Sequence, residues 1–175
     1  MAEKLLMDKD EMARTLKRIA SEIIESNKKV KDIVLIGIQN RGVPLAERLA
    51  KLISSSEKTE VPVGTLDVSL HRDDIIKKGA GINMKKTDIP FSIDGKTVIL
   101  VDDVISAGRT IRAALDSLSD FGRAEKIELV ALIDRDCREL PIHPDFTGKK
   151  ISTLQSDSVK VNVAEIDGVD KVIVK

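Results

Sequence analysis

Aromatic residues are scarce in this chain of 175 amino acids. Tryptophan and tyrosine are absent, and the three aromatic side chains are Phe91, Phe121 and Phe146. RNA-binding proteins often stack bases on a platform of aromatic rings. Such a platform is therefore not expected here.

Cysteine, histidine and long hydrophobic runs are also rare. Cys137 is the single cysteine, which excludes an internal disulfide or a site with several thiolate ligands. With His71 and His143 as the only histidines, a histidine metal site or a catalytic triad has little support. No apolar run reaches the roughly 18 residues of a membrane span, and the start lacks the apolar core of a signal peptide. We therefore expect a cytoplasmic protein.

The charge balance gives no general attraction to nucleic acid, because 29 basic residues match 29 acidic ones. A local basic face stays possible. Hydrophobic residues make up 42% of the chain and charged residues 33%, as in globular domains. The length predicts one domain, spanning residues 1–175.

Strand and helix patterns alternate along the chain, which predicts an α/β fold with a doubly wound, mostly parallel sheet flanked by helices. One helix is predicted from Asp8 or Asp10 to about Asn27, and a second after the turn at 39–42. A third helix is predicted from Thr110, which can cap this helix, to about Asp120, before Gly122. Strands are predicted at 32–37, 61–70, 97–101 and 127–133, with edge or hairpin strands at 159–163 and 171–175. Residues 71–95 are rich in charge and glycine and predict a lid or binding loop, with a tolerated surface insertion as the alternative.

The most informative segment is Val-Ile-Leu-Val-Asp-Asp-Val-Ile-Ser-Ala-Gly-Arg-Thr at positions 98–110. An apolar strand leads into two adjacent carboxylates, Asp102 and Asp103, and then into a loop of small residues at the start of a helix. Small residues let backbone N–H groups approach a ligand, and helix N-termini favour anions. The segment therefore predicts a site for a ribose 5-phosphate at the carboxyl end of a parallel strand. Turn formation by the Asp-Asp pair is the alternative.

This segment resembles the phosphoribosyl pyrophosphate signature of type I phosphoribosyltransferases, whose fold adds a flexible loop and a small hood. Segments 36–42, 70–74, 87–91 and 133–142 narrow the resemblance to the branch that joins uracil phosphoribosyltransferase activity with attenuation of pyrimidine operons. The resemblance implies transfer from phosphoribosyl pyrophosphate to uracil, giving UMP and pyrophosphate, with Mg²⁺ held mainly by the substrate. It also implies a response to UMP or UTP, binding to leader mRNA of the pyrimidine operon, and a homodimer or higher homo-oligomer.

The resemblance assigns roles to individual residues. Asp102, Asp103 and Arg41 are the expected catalytic residues. Arg41 belongs to the pyrophosphate loop, Arg72 closes over the pyrophosphate, and Arg135 lies near the uracil pocket. The full substrate-binding set is Asn40, Arg41, Gly42, Arg72, Asp102, Asp103, Val104, Ile105, Ser106, Ala107, Gly108, Arg109, Thr110, Arg135 and Val159. The expected RNA contacts are Lys17, Arg18, Arg138 and Lys149.

Several alternatives stay open at this point. Arg41 alone is also consistent with an exposed helix entry, and Arg72 and Arg135 with surface ion pairs to their neighbours Asp73 and Asp134. The chain departs from the branch at Ser106 and Ala107, where tyrosine and threonine are usual. A nucleotide-sensing RNA-binding regulator with little catalytic role is one alternative function, and a phosphoribosyltransferase for another base is a second.

Overall fold

A parallel sheet lies at the centre of the molecule, and a smaller antiparallel sheet lies beside it. The computed structural model describes residues 3–69, 86–154 and 157–175. Its elements, in chain order, are β1 (Lys4–Met7), α1 (Lys9–Ser26), β2 (Ile33–Ile38), α2 (Gly42–Glu57), β3 (Val63–Leu66), β4 (Thr97–Ile105), α3 (Arg109–Leu118), β5 (Lys126–Asp134), β6 (Phe146–Lys150), β7 (Val159–Asn162), α4 (Ala164–Asp167) and β8 (Lys171–Val174).

The large sheet has the strand order β3-β2-β4-β5-β6, and every neighbouring pair is parallel. Its middle strands are apolar on both faces because helices cover both sides. Leu35 and Ile99 point towards α1 and α2, while Ile36 and Leu100 point towards α3. The predicted doubly wound α/β fold is confirmed.

The small sheet has the order β1-β8-β7 and is antiparallel; together with the segment 163–170, which contains α4 and joins β7 to β8, it is called the hood here. The alternating tail had predicted β7 and β8. The sequence analysis missed β1, which pairs with β8, and β6, which forms an edge of the large sheet. Both strands are short, and β1 also takes its partner from the far end of the described chain.

The predicted N-cap is confirmed for α1 and not for α3. Asp8 caps α1 by accepting a hydrogen bond from the Glu11 backbone at 2.8 Å, and Glu11 answers in a capping box. The predicted cap at Thr110 is wrong. Gly108 occupies the N-cap of α3 with φ of 92°, a left-handed conformation that favours glycine, and Thr110 lies inside the first turn.

Two predicted strands have different lengths in the structure. β4 does not stop at Val101 but continues to Ile105, because β5 runs alongside it and pairs Asp102 with Ala131. β3 covers only Val63–Leu66 of the predicted 61–70. Most of the predicted 71–95 loop lies outside the described residues. Among the described residues, no helix is long and apolar enough to cross a membrane.

Candidate active site

The loop after β2 and the end of β4 meet at one corner of the sheet. Gly37 of β2 is paired with Val101 of β4, so the segments that follow both strands leave the same edge side by side. Gly42 then approaches β4 very closely, since a Cβ atom placed on it would lie 2.3 Å from the Val101 carbonyl oxygen. Only glycine allows this approach, which brings Asn40 and Arg41 next to the acidic pair. The peptide bond between Gln39 and Asn40 is cis.

Backbone hydrogen bonds orient both carboxylates of the acidic pair. Asp102 is 6% exposed, and its Oδ1 accepts a hydrogen bond from the Asp103 backbone N–H at 2.9 Å. Asp103 Oδ1 accepts one from the Val104 backbone N–H, also at 2.9 Å. The local bonding expected of a turn is therefore present, although the pair lies in a strand. Each ionised carboxylate has further lone pairs that can accept from ligand hydroxyls.

Burial raises the pKa of the Asp103 carboxyl above its ordinary value. Hydrogen bonding within the pair and the positive charge of Arg41 act in the opposite direction. The interaction is mutual, since Asp103 also contributes to a raised pKa of Arg41. Arg41 and Asp103 thus lie within electrostatic reach of each other, although their residue numbers differ by more than sixty.

The signature loop encloses a cavity of about 290 Å³, close to the lower end of the usual range for small-molecule sites. The carbonyl oxygen of Ala107 accepts hydrogen bonds from the Glu139 and Leu140 backbones at 3.0 and 3.1 Å, which fixes the loop. The first N–H groups of α3 have no acceptor within the helix and can bind an anion. The cavity is lined by Asp102, Val104, Ile105, Ser106, Ala107, Gly108, Arg109, Thr110, Ile111 and Glu139.

The segment after β5 braces this loop. Arg138 is 11% exposed along its side chain and forms an ion pair with Asp134 at 2.7 Å. It also donates to the carbonyl oxygens of Ser106 at 2.9 Å and Ile142 at 2.6 Å. Arg109 donates to Glu139 at 2.7 Å. Glu139 was missed as a cavity residue, although it belongs to the Arg-Glu-Leu-Pro segment that carried the family resemblance.

Arg41 is held by a residue that the sequence analysis did not single out. Its Nε donates to Asp167 Oδ2 at 3.0 Å, and its Nη2 donates to Asp167 Oδ1 at 2.8 Å. These hydrogen bonds hold the pKa of the Asp167 carboxyl well below its usual range. Asp167 ends α4, so the hood reaches the loop at 39–42. No local sequence signal marks this contact, which joins residues far apart in the chain.

Arg135 and Val159 are connected through the segment that precedes β7. Arg135 donates to Thr153 Oγ1 at 3.0 Å and to the carbonyl oxygens of Leu154 and Asp157 at 3.0 and 2.8 Å. It thereby supports the chain that leads to Val159. Asp134 pairs with Arg138 instead. Arg72 lies outside the described residues, so its role stays a prediction.

Three of the four residues predicted to contact RNA lie on two elements that touch, with Lys17 and Arg18 on α1 and Lys149 on β6. Arg18 donates to the carbonyl oxygens of Thr147 and Gly148 at 3.1 and 2.7 Å. Lys149 donates to the Leu6 carbonyl oxygen in β1 at 2.8 Å. Arg138 lies elsewhere, and an RNA contact by it would compete with the bonds that brace the signature loop.

Magnesium requires oxygen ligands, and the two carboxylates of Asp102 and Asp103 provide such oxygens at this corner. Among the described residues, no group of three or more histidine, cysteine, aspartate or glutamate residues could hold a metal ion. The residues present thus fit a cation that is shared with a phosphorylated substrate.

Comparison with known proteins agrees with this geometry. The phosphoribosyl transferase domain family matches residues 4–167. The bifunctional protein PyrR of Chloroflexus aurantiacus is 52% identical over 98% of this chain and 94% of its own length. The bifunctional protein PyrR of Thermus thermophilus is also 52% identical, over 95% of this chain and 92% of its own.

Solved structures of more distant proteins share the fold. A hypoxanthine phosphoribosyltransferase of Trypanosoma cruzi has a TM-score of 0.74 at 19% identity, covering 99% of this chain and 96% of that one. One from Staphylococcus aureus has a TM-score of 0.72 at 20% identity, covering 97% and 90%. At this identity the likeness concerns the fold alone. Taken together, the match over most of its length and the half-identical relatives show that this chain belongs to the phosphoribosyl transferase family, within the branch of the bifunctional PyrR proteins.

Proposed function

We propose that this protein transfers a ribose 5-phosphate group from phosphoribosyl pyrophosphate to uracil, and that the same nucleotide site makes its RNA binding responsive to UMP or UTP. The observation that carries the proposal is the meeting of the 39–42 loop with the 102–110 segment at one corner of the sheet. The kinship with bifunctional PyrR proteins supports both activities.

In the proposed reaction, the bond between ribose C1′ and the pyrophosphate oxygen breaks and a bond from C1′ to a uracil ring nitrogen forms. That nitrogen releases its proton, and pyrophosphate leaves with the electron pair. Asp102 and Asp103 accept hydrogen bonds from the ribose hydroxyls, and the backbone of Ser106 to Thr110 binds the 5-phosphate. The protein accelerates the reaction mainly by orienting the two reactants.

The leaving pyrophosphate is proposed to lie at Asn40, Arg41 and Gly42, where the Arg41 guanidinium supplies charge-assisted donors. Arg72 is proposed to close over it. When bound, Mg²⁺ neutralises charge on the pyrophosphate, with the carboxylates of Asp102 and Asp103 as the available protein ligands. Arg135 and the backbone near Val159 are proposed to line the uracil pocket.

Formation of UMP from uracil and phosphoribosyl pyrophosphate tests the enzyme. We expect Asp102→Ala combined with Asp103→Ala to lower turnover by at least about a hundredfold, because the ribose is no longer oriented. Asp120→Ala, an exposed carboxylate after α3, serves as the control and should leave turnover unchanged. Persistent activity in the double variant, with its circular dichroism unchanged, would contradict this placement of the ribose. Adenine, guanine and hypoxanthine in the same assay decide whether another base is preferred.

RNA binding has a separate test. The contact between α1, which carries Lys17 and Arg18, and β6, which carries Lys149, supports a phosphate-binding surface there. We expect filter binding to retain a pyrimidine-operon leader RNA, more strongly with UMP, and Lys17→Ala with Lys149→Ala to weaken it without loss of UMP formation. No retention at micromolar protein would overturn the regulatory half of the proposal. The homodimer or higher homo-oligomer and the cytoplasmic location stay predictions.

A further inference from the structure

The carboxylate of Asp167 connects the hood to Arg41 at the candidate active site. It accepts two parallel hydrogen bonds of 3.0 and 2.8 Å from the Arg41 guanidinium. This fork geometry fixes the plane of the guanidinium as well as its position. Both side chains are largely enclosed, with 26% of Arg41 and 13% of Asp167 exposed.

Asp167 is itself held in place by its neighbours in the hood. Its Oδ2 accepts a hydrogen bond from the Val163 backbone at 2.9 Å, and the Asp167 backbone donates to the Val163 carbonyl at 2.7 Å. The buried side chain of Asn162 lies close enough to the carboxylate to help lower the pKa of Asp167. The Asn162 amide oxygen has no hydrogen-bond partner among the described residues, which is a cost for a buried polar atom.

The hood does not need Arg41 as an anchor. Arg48 of α2 already binds it through Glu165 at 2.6 Å and Asp170 at 2.7 Å. These contacts join the same two elements, α2 and the α4 region, without involving the pyrophosphate loop. The additional fork between Arg41 and Asp167 thus involves an arginine that lies within electrostatic reach of Asp103.

The fork also determines which donors of Arg41 remain for a ligand. Within the described part of the chain, the side-chain bonds of Arg41 use Nε and Nη2, and both go to Asp167. The remaining nitrogen, Nη1, carries two N–H groups. Because one edge of the guanidinium is already fixed, a ligand that binds the opposite edge does not have to order a free side chain, and that loss of entropy is avoided.

We propose that Asp167, supported by Asn162, is a positioning residue that fixes the Arg41 guanidinium so that Nη1 binds the pyrophosphate group of the sugar substrate. This inference rests on the proposed function, which supplies the substrate. It assigns the hood a part in substrate binding.

Binding of phosphoribosyl pyrophosphate with Mg²⁺, measured by titration calorimetry, tests the inference without requiring turnover. We expect Asp167→Asn to weaken binding about tenfold, the size of one charge-assisted hydrogen bond. In the uracil assay its KM for phosphoribosyl pyrophosphate should rise by about the same factor, with kcat little changed. Asp167→Glu should restore part of the affinity because it keeps the carboxylate.

The matched control is Asp170→Asn, which removes a hood carboxylate from Arg48 but leaves Arg41 untouched. It should bind the substrate like the parent protein. A double-mutant cycle completes the test, since Asp167→Asn should have no further effect on affinity in an Arg41→Ala background.

Unchanged affinity in Asp167→Asn would overturn the inference, as would an equal loss in Asp170→Asn or an undiminished effect without Arg41. Absence of UMP formation by the parent protein, with the binding results intact, would overturn the proposed reaction and leave the role of Asp167 standing.

Discussion

At the scale of single residues, Asp103 combines a proposed binding role with a cost to the stability of the fold. Burial raises its pKa in the folded protein above the ordinary value of 3.8. Between these two pKa values the folded state holds more protons than the unfolded state. The free energy of unfolding therefore falls as the pH rises through this interval, and the loss persists at neutral pH.

Asp103→Asn removes this ionisation. We expect its thermal midpoint at pH 7 to exceed that of the parent protein, and the difference to vanish below pH 3.8. Calorimetric melting across this pH range provides the measurement. Asp116→Asn, at a carboxylate whose side chain is 55% exposed, is the control and should show no such gain. An equal or lower midpoint for Asp103→Asn at neutral pH would contradict the assignment.

The cavity at the end of β4 could be predicted from the local sequence, because an apolar strand, an acidic pair and small residues follow one another there. The contact of Asp167 with Arg41 could not be predicted, because the two residues lie more than a hundred positions apart in the chain. The partners of Arg138 were equally hidden, since a basic side chain in a loop is usually exposed.

At the scale of elements, Gly42 brings the start of α2 very close to β4. A methyl group added there would lie 2.3 Å from the Val101 carbonyl oxygen, which belongs to the backbone and cannot move aside cheaply. We expect Gly42→Ala to lower the free energy of unfolding by about 1–3 kcal/mol, as overpacking does. It should also raise KM for phosphoribosyl pyrophosphate, because Arg41 moves with the loop.

Urea unfolding and the uracil assay measure both effects. Gly95→Ala gives the comparison, since its φ of 63° strains any other residue while nothing lies within 4 Å of the added methyl. Its destabilisation should leave KM unchanged. If both variants changed KM alike, or Gly42→Ala left it unaltered, the contact would not position the loop.

Element boundaries were predicted less well than element types. Two adjacent aspartates favour a strand end, yet β4 continues because β5 offers paired backbone groups as far as Asp134. Likewise, Gly108 and not the predicted Thr110 is the N-cap of α3, because the chain turns there with a positive φ. In both cases a contact or conformation outside the local pattern decided the boundary.

At the scale of the whole molecule, Arg48 joins the hood to α2. It donates four hydrogen bonds of 2.6 to 3.1 Å to Glu165 and Asp170. We expect Arg48→Met, which keeps the length of the side chain, to cost about 1–3 kcal/mol because it leaves the enclosed Asp170 carboxylate without this partner. Amide hydrogen exchange should accelerate in β7 and β8 and stay slow in β4 and β5.

Lys86→Met is the control, since the ion pair of Lys86 with Asp88 is exposed and of little energetic value. Uniform acceleration of exchange across both sheets in Arg48→Met would show that the hood does not open separately.

The large sheet could be predicted from its apolar strands, and the hood only in part. Alternation in β7 and β8 is visible in the sequence, whereas the four residues of β1 carry no pattern long enough to predict a strand. Its place depends on pairing with β8 at the other end of the chain.

That pairing has a consequence for biosynthesis. Lys4 is matched with Val174, so β1 can complete its pairing with β8 only after the chain has been made as far as residue 174. The central sheet contains its own strands by residue 150 and can begin to assemble earlier. The central sheet would thus form during synthesis before β1 and β8 pair and complete the hood.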